Sequence, residues 1–137
     1  MSNFSILTII NMNNKKLSLA LKMNAIFSAT NGVALLLFHK QIAAYINFEY
    51  PQILLTIGFV LIGFSALVYR TAKANNISEK LVKFIIIQDW LWVIGSVLII
   101  VLQAFGINRI GLIIIGVIAL IVADFAIFQQ RYLKVSF

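Results

Sequence analysis

The sequence predicts an all-α integral membrane protein: a four-helix bundle whose helices run up, down, up and down, with both termini in the cytoplasm. Three observations support this prediction: the composition, four long apolar runs, and the placement of the basic residues. Of the 137 residues, 62% are hydrophobic and 11% are charged, and the mean hydropathy is +1.02. Soluble domains are about one quarter charged, so we expect most of this surface to face lipid.

The four apolar runs each approach the ~20 residues that an α-helix needs to cross ~30 Å of hydrocarbon. They predict helices at about 17–38, 52–70, 81–103 and 109–131, within a single domain of residues 17–134. Lys22 interrupts the first run, but its ammonium group can reach the headgroups along a flexible stem. Residues 1–16 precede this helix, and we expect an interfacial or loosely ordered lead there.

Residues at the predicted helix ends agree with this layout. Pro51 suits the first turn of the second helix, where its missing N–H costs nothing. Ser78, followed by Glu79, is expected to cap the third helix. The connection that contains Gly106 is so short that the third and fourth helices must be antiparallel neighbours.

The basic residues determine the expected orientation. Nine of them lie on one side of the predicted spans and two, Lys40 and Arg109, lie on the other. The nine are Lys15, Lys16, Lys22, Arg70, Lys73, Lys80, Lys83, Arg131 and Lys134. Because cytoplasmic loops are enriched in Lys and Arg, both termini and the loop at 70–83 are expected in the cytoplasm. We expect the membrane to be a bacterial inner membrane.

Composition also excludes several classes of function. The net charge of +7 would raise the question of nucleic acid, but the charges lie at helix ends, so we expect no nucleic-acid partner. The chain has no Cys and a single His, His39, which leaves few side chains for metal, haem or triad chemistry. Nucleotide-binding and hydrolase motifs are absent from the sequence. We therefore expect no catalytic residue, no metal site and no cofactor, and a protein that is not an enzyme.

Two aspartates within the predicted spans are the first candidates for a functional site. Asp89 lies six residues after Lys83, and Asp124 lies seven before Arg131, so each is about 9–10 Å inside the cytoplasmic boundary at ~1.5 Å per residue. An acid within a membrane span is a functional hypothesis by default, and the pair could bind a proton or a small cation. Alternatively, the aspartates form structural ion pairs with Lys83, Arg70 or Arg131, or they lie close to the lipid headgroups.

Other polar side chains recur with helical spacing and would face the same chamber. At intervals of three or four residues they form one stripe on the first helix and another on the third. The two stripes consist of Asn24, Ser28 and Asn31, and of Asp89, Trp92 and Ser96. Facing each other, they would line a polar chamber open to the cytoplasm. The alternative is that these side chains only bond helix to helix as packing contacts.

Small residues within the spans predict close helix packing rather than chemistry. The residues concerned are Gly58, Gly63, Gly95, Gly111, Gly116, Ala119 and Ala123.

The chain resembles small four-span bacterial membrane proteins of unassigned function. The resemblance rests on Asn31-Gly32 in the first helix and on residues 89–96 (DWLWVIGS) in the third. It implies the four-span fold and brings no activity with it. In size the chain is also similar to small multidrug transporters, but its first span lacks the glutamate which that family needs.

Two classes of function remain at this stage. In the first, the protein is a small oligomeric transporter or channel-like protein whose polar chamber handles a proton, a cation or an amphipathic molecule. In the second, it is an accessory or scaffold subunit that packs against a larger membrane complex. Either way we expect the lipid bilayer as its environment, and a homo-oligomer or a larger assembly as its working form, because four helices enclose little space.

Overall fold

The computed structural model describes the backbone of residues 3–136 and the side chains of residues 5–6, 12 and 14–134. Four α-helices and one short 3₁₀ helix make up this part of the chain, and it contains no strand. The helices are α1 (Asn3–Tyr45), α2 (Pro51–Lys73), α3 (Glu79–Leu102) and α4 (Arg109–Ser136), with the 3₁₀ turn at Ala104–Gly106. The predicted all-α four-helix bundle is confirmed.

The first helix is longer at both ends than the sequence predicts. It is helical from Asn3, so the backbone of the expected lead continues into α1, and it ends at Tyr45 rather than at residue 38. The predicted end does mark an irregularity, since Phe38 leaves helical geometry (φ −125°, ψ 21°). Next to it, Nδ1 of His39 lies 3.3 Å from the carbonyl oxygen of Leu36. A side chain that competes for a backbone carbonyl is a known cause of helix kinks.

The other helix boundaries follow local signals in the sequence. Pro51 is the first residue of α2, as predicted. Ser78 caps α3 by accepting a hydrogen bond from the backbone N–H of Leu81 (3.3 Å). Asn108 precedes α4, and its Oδ1 accepts the N–H of Gly111 (2.8 Å), which satisfies one of the free donors of the first turn.

Contacts at the two ends of the bundle establish the antiparallel order. At the end that holds the termini, here called the terminal end, Ser18 Oγ donates to the carbonyl of Ala72 (2.8 Å). At the opposite end, here called the loop end, Asn108 Nδ2 donates to the carbonyl of Tyr45 (2.8 Å). Asn47 Nδ2 also reaches the carbonyl of Gly106 (3.0 Å). The helices therefore run up, down, up and down.

Neighbouring helices pack unevenly around the bundle. α1 lies between α2 and α4, and α3 packs on α4, whereas α2 and α3 make sparse contact. At one point α1 and α2 come very close, because a Cβ on Gly58 would lie 3.1 Å from the backbone oxygen of Gly32. Gly111 is similarly crowded, by Ile46, but Gly63 and Gly95 have no such neighbour. The predicted role of glycine in close packing therefore holds at some positions only.

The packed core occupies the terminal half of the bundle. Its buried residues come from all four helices and interdigitate near the α2–α3 connection. They are Leu17, Leu21, Ala25, Val68, Ala72, Val82, Ile85, Ile86 and Leu133. The loop half is less filled, and a cavity lies there.

The outer surface of the bundle is apolar. Large exposed side chains such as Phe59, Leu91 and Leu120 cover it, with exposed fractions of 63%, 55% and 69%. Four of the described helical segments are long and apolar enough to cross a membrane: Asn14–Tyr45, Pro51–Lys73, Glu79–Leu102 and Arg109–Lys134. The protein is thus a multi-pass membrane protein whose natural environment is a lipid bilayer.

Candidate functional site

Asp89 lies inside the bundle, on the face of α3 that packs inward. It is 3% exposed, and Val82, Ile85 and Ile86 precede it on the same face. The three- and four-residue spacing places these side chains in one stripe along the helix. Burial of the apolar members of this stripe packs α3 onto the core. Because Asp89 lies on the same face, it is buried with them.

Two amide side chains from other helices hold one oxygen of this carboxylate. Asn24 Nδ2 of α1 donates to Asp89 Oδ2 at 2.8 Å, and Gln129 Nε2 of α4 donates to the same oxygen at 2.8 Å. Asn24 Nδ2 uses its second hydrogen to reach Gln129 Oε1 at 2.9 Å. The three side chains, from three helices, form a closed triangle of hydrogen bonds.

A fourth side chain completes the network. Ser28 lies one turn after Asn24 in α1, and its hydroxyl donates to Asn24 Oδ1 at 3.2 Å. Asn24 is 1% exposed and Gln129 is 0% exposed, so these amides depend on protein partners for their hydrogen bonds. We call Asn24, Ser28, Asp89 and Gln129 the Asp89 network.

The second oxygen of Asp89 is not used by the network. Oδ1 has no hydrogen-bond donor within the described part of the chain, although Asp89 itself lines the cavity. No basic side chain offsets the charge either, since the one salt bridge among the described residues joins Lys83 to Glu79 at 3.0 Å. The expected alternative, an ion pair of Asp89 with Lys83, Arg70 or Arg131, is therefore wrong.

The cavity has a volume of about 770 Å³ and extends from Asp89 toward the loop end. Aliphatic and aromatic side chains line most of it, among them Leu54, Ile57 and Leu61 of α2 and Ile115 and Ile118 of α4. Pockets of this size hold drug-sized molecules, and mostly apolar walls with few polar groups are typical of them.

Polar groups gather at the Asp89 end of the cavity. Asn31, Gln88 and Ser96 join Ser28 and Asp89 on its wall there. At the loop end the wall is aromatic, where Phe48 packs edge to face on both Phe105 and Tyr50, with ring centres 5.8 Å apart in each pair. Gln41 and Tyr45 also line the loop end, so the chamber has polar groups at both ends and an apolar middle, whereas the sequence led us to expect a polar chamber.

The side of the cavity between α2 and α3 is the least closed. Both helices contribute lining residues, such as Val60 of α2 and Ile99 of α3, yet they make sparse contact with each other. The remaining sides are closed by the packing of α1 on α2, of α1 on α4 and of α3 on α4. We call this gap between α2 and α3 the opening.

Most of the side chains proposed from the sequence converge on this site. Asn24 and Ser28 belong to the Asp89 network, and the remaining members of the two stripes line the cavity beside it. Those cavity residues are Asn31, Trp92 and Ser96. Asn31 and Ser96 also bond to their own helix, to the carbonyls of Phe27 and Trp92, both at 2.8 Å.

Asp124 is not part of the site. It is exposed on α4, and it has no hydrogen bond or ion pair with any described residue. The inward face of α4 consists of Val122, Ala126 and Gln129 instead. Five residues separate Asp124 from Gln129, which corresponds to about 140° of rotation at 3.6 residues per turn. The sequence left open whether the two aspartates face each other, and the structure shows that they do not, although both lie within their spans.

Gln129 is the member of the Asp89 network that the sequence did not predict. The available signal was spacing, because Val122, Ala126, Gln129 and Leu133 recur at intervals of four, three and four residues. Its position next to Gln130 and Arg131 concealed that signal, since polar residues at a helix end normally face the headgroups.

Chemically, the site offers one unpaired carboxylate oxygen at the end of an apolar cavity. Such an oxygen can accept a hydrogen bond or pair with a cation. Among the described residues, no three His, Asp or Glu side chains come together as a metal-binding group.

Comparisons with models of protein families, with curated proteins and with solved structures find no match to this chain.

Proposed function

We propose that this protein binds an amphipathic molecule from the bilayer, with the polar head of the molecule at Asp89 and its apolar body in the cavity. Its role would be non-enzymatic, as a small carrier or transporter of that molecule. The observation that supports this most directly is the free Oδ1 of a buried carboxylate at the closed end of an apolar cavity of about 770 Å³.

The distribution of polar groups favours an amphipathic ligand over a proton or an inorganic cation. A conduction path for a small ion needs polar or charged groups along its length to replace the hydration shell. Here the middle of the cavity is bounded by side chains such as Leu35, Ile57 and Leu61. An apolar chain would find matching walls there, while a hydrated ion would lose its water without compensation.

The charge of the site favours a cationic head group. Asp89 accepts two hydrogen bonds from neutral amides at a position with no described basic partner. A buried carboxylate without a counter-ion is costly, and an ammonium group placed at Oδ1 would both pair with the charge and donate a hydrogen bond. A neutral hydroxyl would supply the hydrogen bond alone.

The opening between α2 and α3 suits a ligand that arrives through the membrane. With both termini in the cytoplasm, as the basic residues predict, Asp89 would lie near the cytoplasmic leaflet. The cavity would then accept the head group of a molecule from that leaflet, with its chain pointing toward the outer side.

Binding of simple amphiphiles tests this proposal. Calorimetric titration of the protein in lipid nanodiscs, with empty nanodiscs as reference, would compare dodecylamine, dodecanol and dodecanoate. Dodecylamine is protonated at neutral pH, as a lysine side chain is, and should bind at least tenfold more tightly than dodecanoate. Asp89→Asn should weaken dodecylamine binding at least tenfold, because the amide keeps the shape and loses the charge. Asp124→Asn is the matched control and should change nothing.

A second pair of variants tests whether the apolar body occupies the cavity. Ile57→Trp would place a bulky ring on the cavity wall and should weaken dodecylamine and dodecanol alike. Phe59→Trp on the lipid-facing side of the same helix is the control. The proposal would be abandoned if Asp89→Asn and Ile57→Trp both bound dodecylamine as wild type does.

The accessory-subunit alternative has a separate observation in its favour, the exposed carboxylate of Asp124. It concerns a different surface of the molecule and does not depend on the cavity.

A further inference from the structure

Asp124 lies on the exposed side of α4 and has no polar partner among the described residues. Its side chain is exposed and forms no hydrogen bond or ion pair with a described residue. Its neighbour Phe125 turns toward the bundle instead and packs edge to face on Phe27 of α1, with ring centres 5.6 Å apart. Successive residues of an α-helix point about 100° apart. Regular helix geometry therefore turns Asp124 away from the bundle when Phe125 faces α1.

The depth of Asp124 makes this exposure costly. Arg131 is the nearest basic residue of α4 toward the terminal end, seven residues or about 10 Å away, and Arg109 is about 22 Å away toward the loop end. Leu120 and Ile127 flank Asp124 on the exposed side, with exposed fractions of 69% and 49%. A carboxylate surrounded by lipid chains at this depth would be poorly solvated, so acids in spans normally face protein or water.

The exposed residues around Asp124 form one continuous seam on α4. Their spacing alternates between three and four residues, which is the heptad pattern that lets one helix pack along another. The seam consists of Ile110, Ile113, Val117, Leu120, Asp124, Ile127, Arg131 and Lys134, all of them exposed. A single polar residue in such a seam commonly sets the register and the choice of partner.

We propose that this seam binds a transmembrane helix of a different membrane protein, one that places a Lys or Arg side chain opposite Asp124. The same helix would carry acidic residues near the level of Arg131 and Lys134, because the seam is negative in the span and positive at its end. Burial of both charges between two helices would remove the carboxylate from lipid and pair it with a donor of opposite charge.

A second copy of this chain fits the seam poorly. Two copies inserted in the same orientation and related by a two-fold axis present the same surface to each other. Asp124 would then face Asp124 and Arg131 would face Arg131, so like charges would be buried together. The charge pattern therefore favours a heterologous partner.

Site-specific crosslinking in the native membrane tests this inference. A photoreactive amino acid would replace Val117 or Leu120 in the seam, or Leu98 on the exposed surface of α3 as control. We expect a discrete adduct from the two seam positions only, lost in Asp124→Leu. Mass spectrometry of the adduct should show a partner span with Lys or Arg at the matching depth.

The other crosslinking outcomes would each overturn the proposal. An adduct of twice the mass of this chain would identify a second copy in the seam. Adducts to lipid alone, or adducts that persist in Asp124→Leu, would show that no charge-specific partner binds there. The melting temperature of purified Asp124→Leu should equal or exceed that of wild type, because Asp124 forms no hydrogen bond or ion pair with a described residue. Loss of the adduct in this variant would therefore not reflect unfolding.

A defined probe gives a second, independent measurement. The probe would be a transmembrane peptide of about 23 leucine and alanine residues with a single Lys about 10 Å from one end. The control peptide would carry Leu at the position of that Lys. Energy transfer between labelled peptide and protein in liposomes should show at least tenfold tighter association of the Lys peptide. Asp124→Leu should abolish that preference and Asp89→Asn should preserve it, and equal association of both peptides would refute the proposal. Neither result bears on binding in the cavity.

Discussion

At the scale of single residues, the arrangement around Asp89 is unusual because neutral amides take the place of a cation. Asn24 and Gln129 each donate a hydrogen bond of 2.8 Å to Asp89 Oδ2. Hydrogen bonds to a charged acceptor are roughly twice as strong as those between neutral groups. They stabilise the buried side chain through Oδ2 alone, and Oδ1 has no hydrogen-bond donor among the described residues.

A substitution of Gln129 tests how much the network contributes to stability. Gln129→Leu removes one donor to Asp89 and one acceptor for Asn24, and the side chains of all three residues are buried. Leaving such groups unpaired should lower the free energy of unfolding by about 1–3 kcal/mol. Gln130→Leu is the matched control, because Gln130 is exposed, and it should have little effect. Thermal melting in detergent would measure both variants, and equal melting temperatures would contradict the network.

At the scale of helices, the contact between α1 and α2 depends on two glycines. Gly32 and Gly58 face each other, and a Cβ on either would lie within about 3.1 Å of the backbone oxygen of the other. Without side chains at these positions, the two backbones approach closely and gain dispersion contacts over a long stretch. This contact holds α2 against α1 and leaves the side of α2 next to α3 free to border the cavity.

The same substitution at two positions of α2 separates packing from helix propensity. Gly58→Val should destabilise the protein by about 1–3 kcal/mol, because the added carbons would meet backbone and force the helices apart. Gly63→Val introduces the same side chain into the same helix, where no atom lies within 4 Å of the added Cβ. Its effect should be near zero. Chemical denaturation in mixed micelles would compare them, and a similar loss in both variants would count against the glycine contact.

At the scale of the whole molecule, the bundle divides into a packed half and an open half. The apolar core fills the terminal half, where residues such as Leu17, Val68 and Ile85 are fully buried. The loop half contains the cavity and is tied together by polar loop contacts, among them Asn108 to Tyr45 and Asn47 to Gly106. The Asp89 network lies at the boundary between the two halves, so a rigid core holds the polar end of the cavity in place.

The orientation of the bundle in the membrane is a prediction from its charges and can be measured. Reporter domains fused after Lys134 or inserted within residues 74–78 should be cytoplasmic, and one inserted within residues 46–50 should be external. Replacement of Arg70, Lys73, Lys80 and Lys83 by neutral residues should yield mixed orientations, since it removes much of the charge bias. An external C-terminus in the wild-type protein would overturn the predicted orientation and place Asp89 near the outer leaflet.

The number and order of the helices could be predicted from the sequence, and so could the approximate bounds of α2, α3 and α4, but not those of α1. Each apolar run must satisfy its own backbone hydrogen bonds in lipid, which requires a helix of known length. Pro51 and Ser78 act locally, through a missing donor and a side-chain cap, so their roles were visible in the chain itself. The polar stripes of α1 and α3 were visible for the same reason, since helical periodicity alone places Asn24 with Ser28 and Asp89 with Ser96 on one face.

Only the tertiary structure decided which polar residues meet. Gln129 and Asp124 both look like polar residues near the end of a span, yet Gln129 turns inward to Asp89 and Asp124 turns outward. That choice depends on the rotation of α4 about its axis. In an apolar helix almost every face is hydrophobic enough to face either lipid or protein, so hydrophobicity does not determine the rotation. It is set by close packing against neighbouring helices, which no single segment of the chain contains.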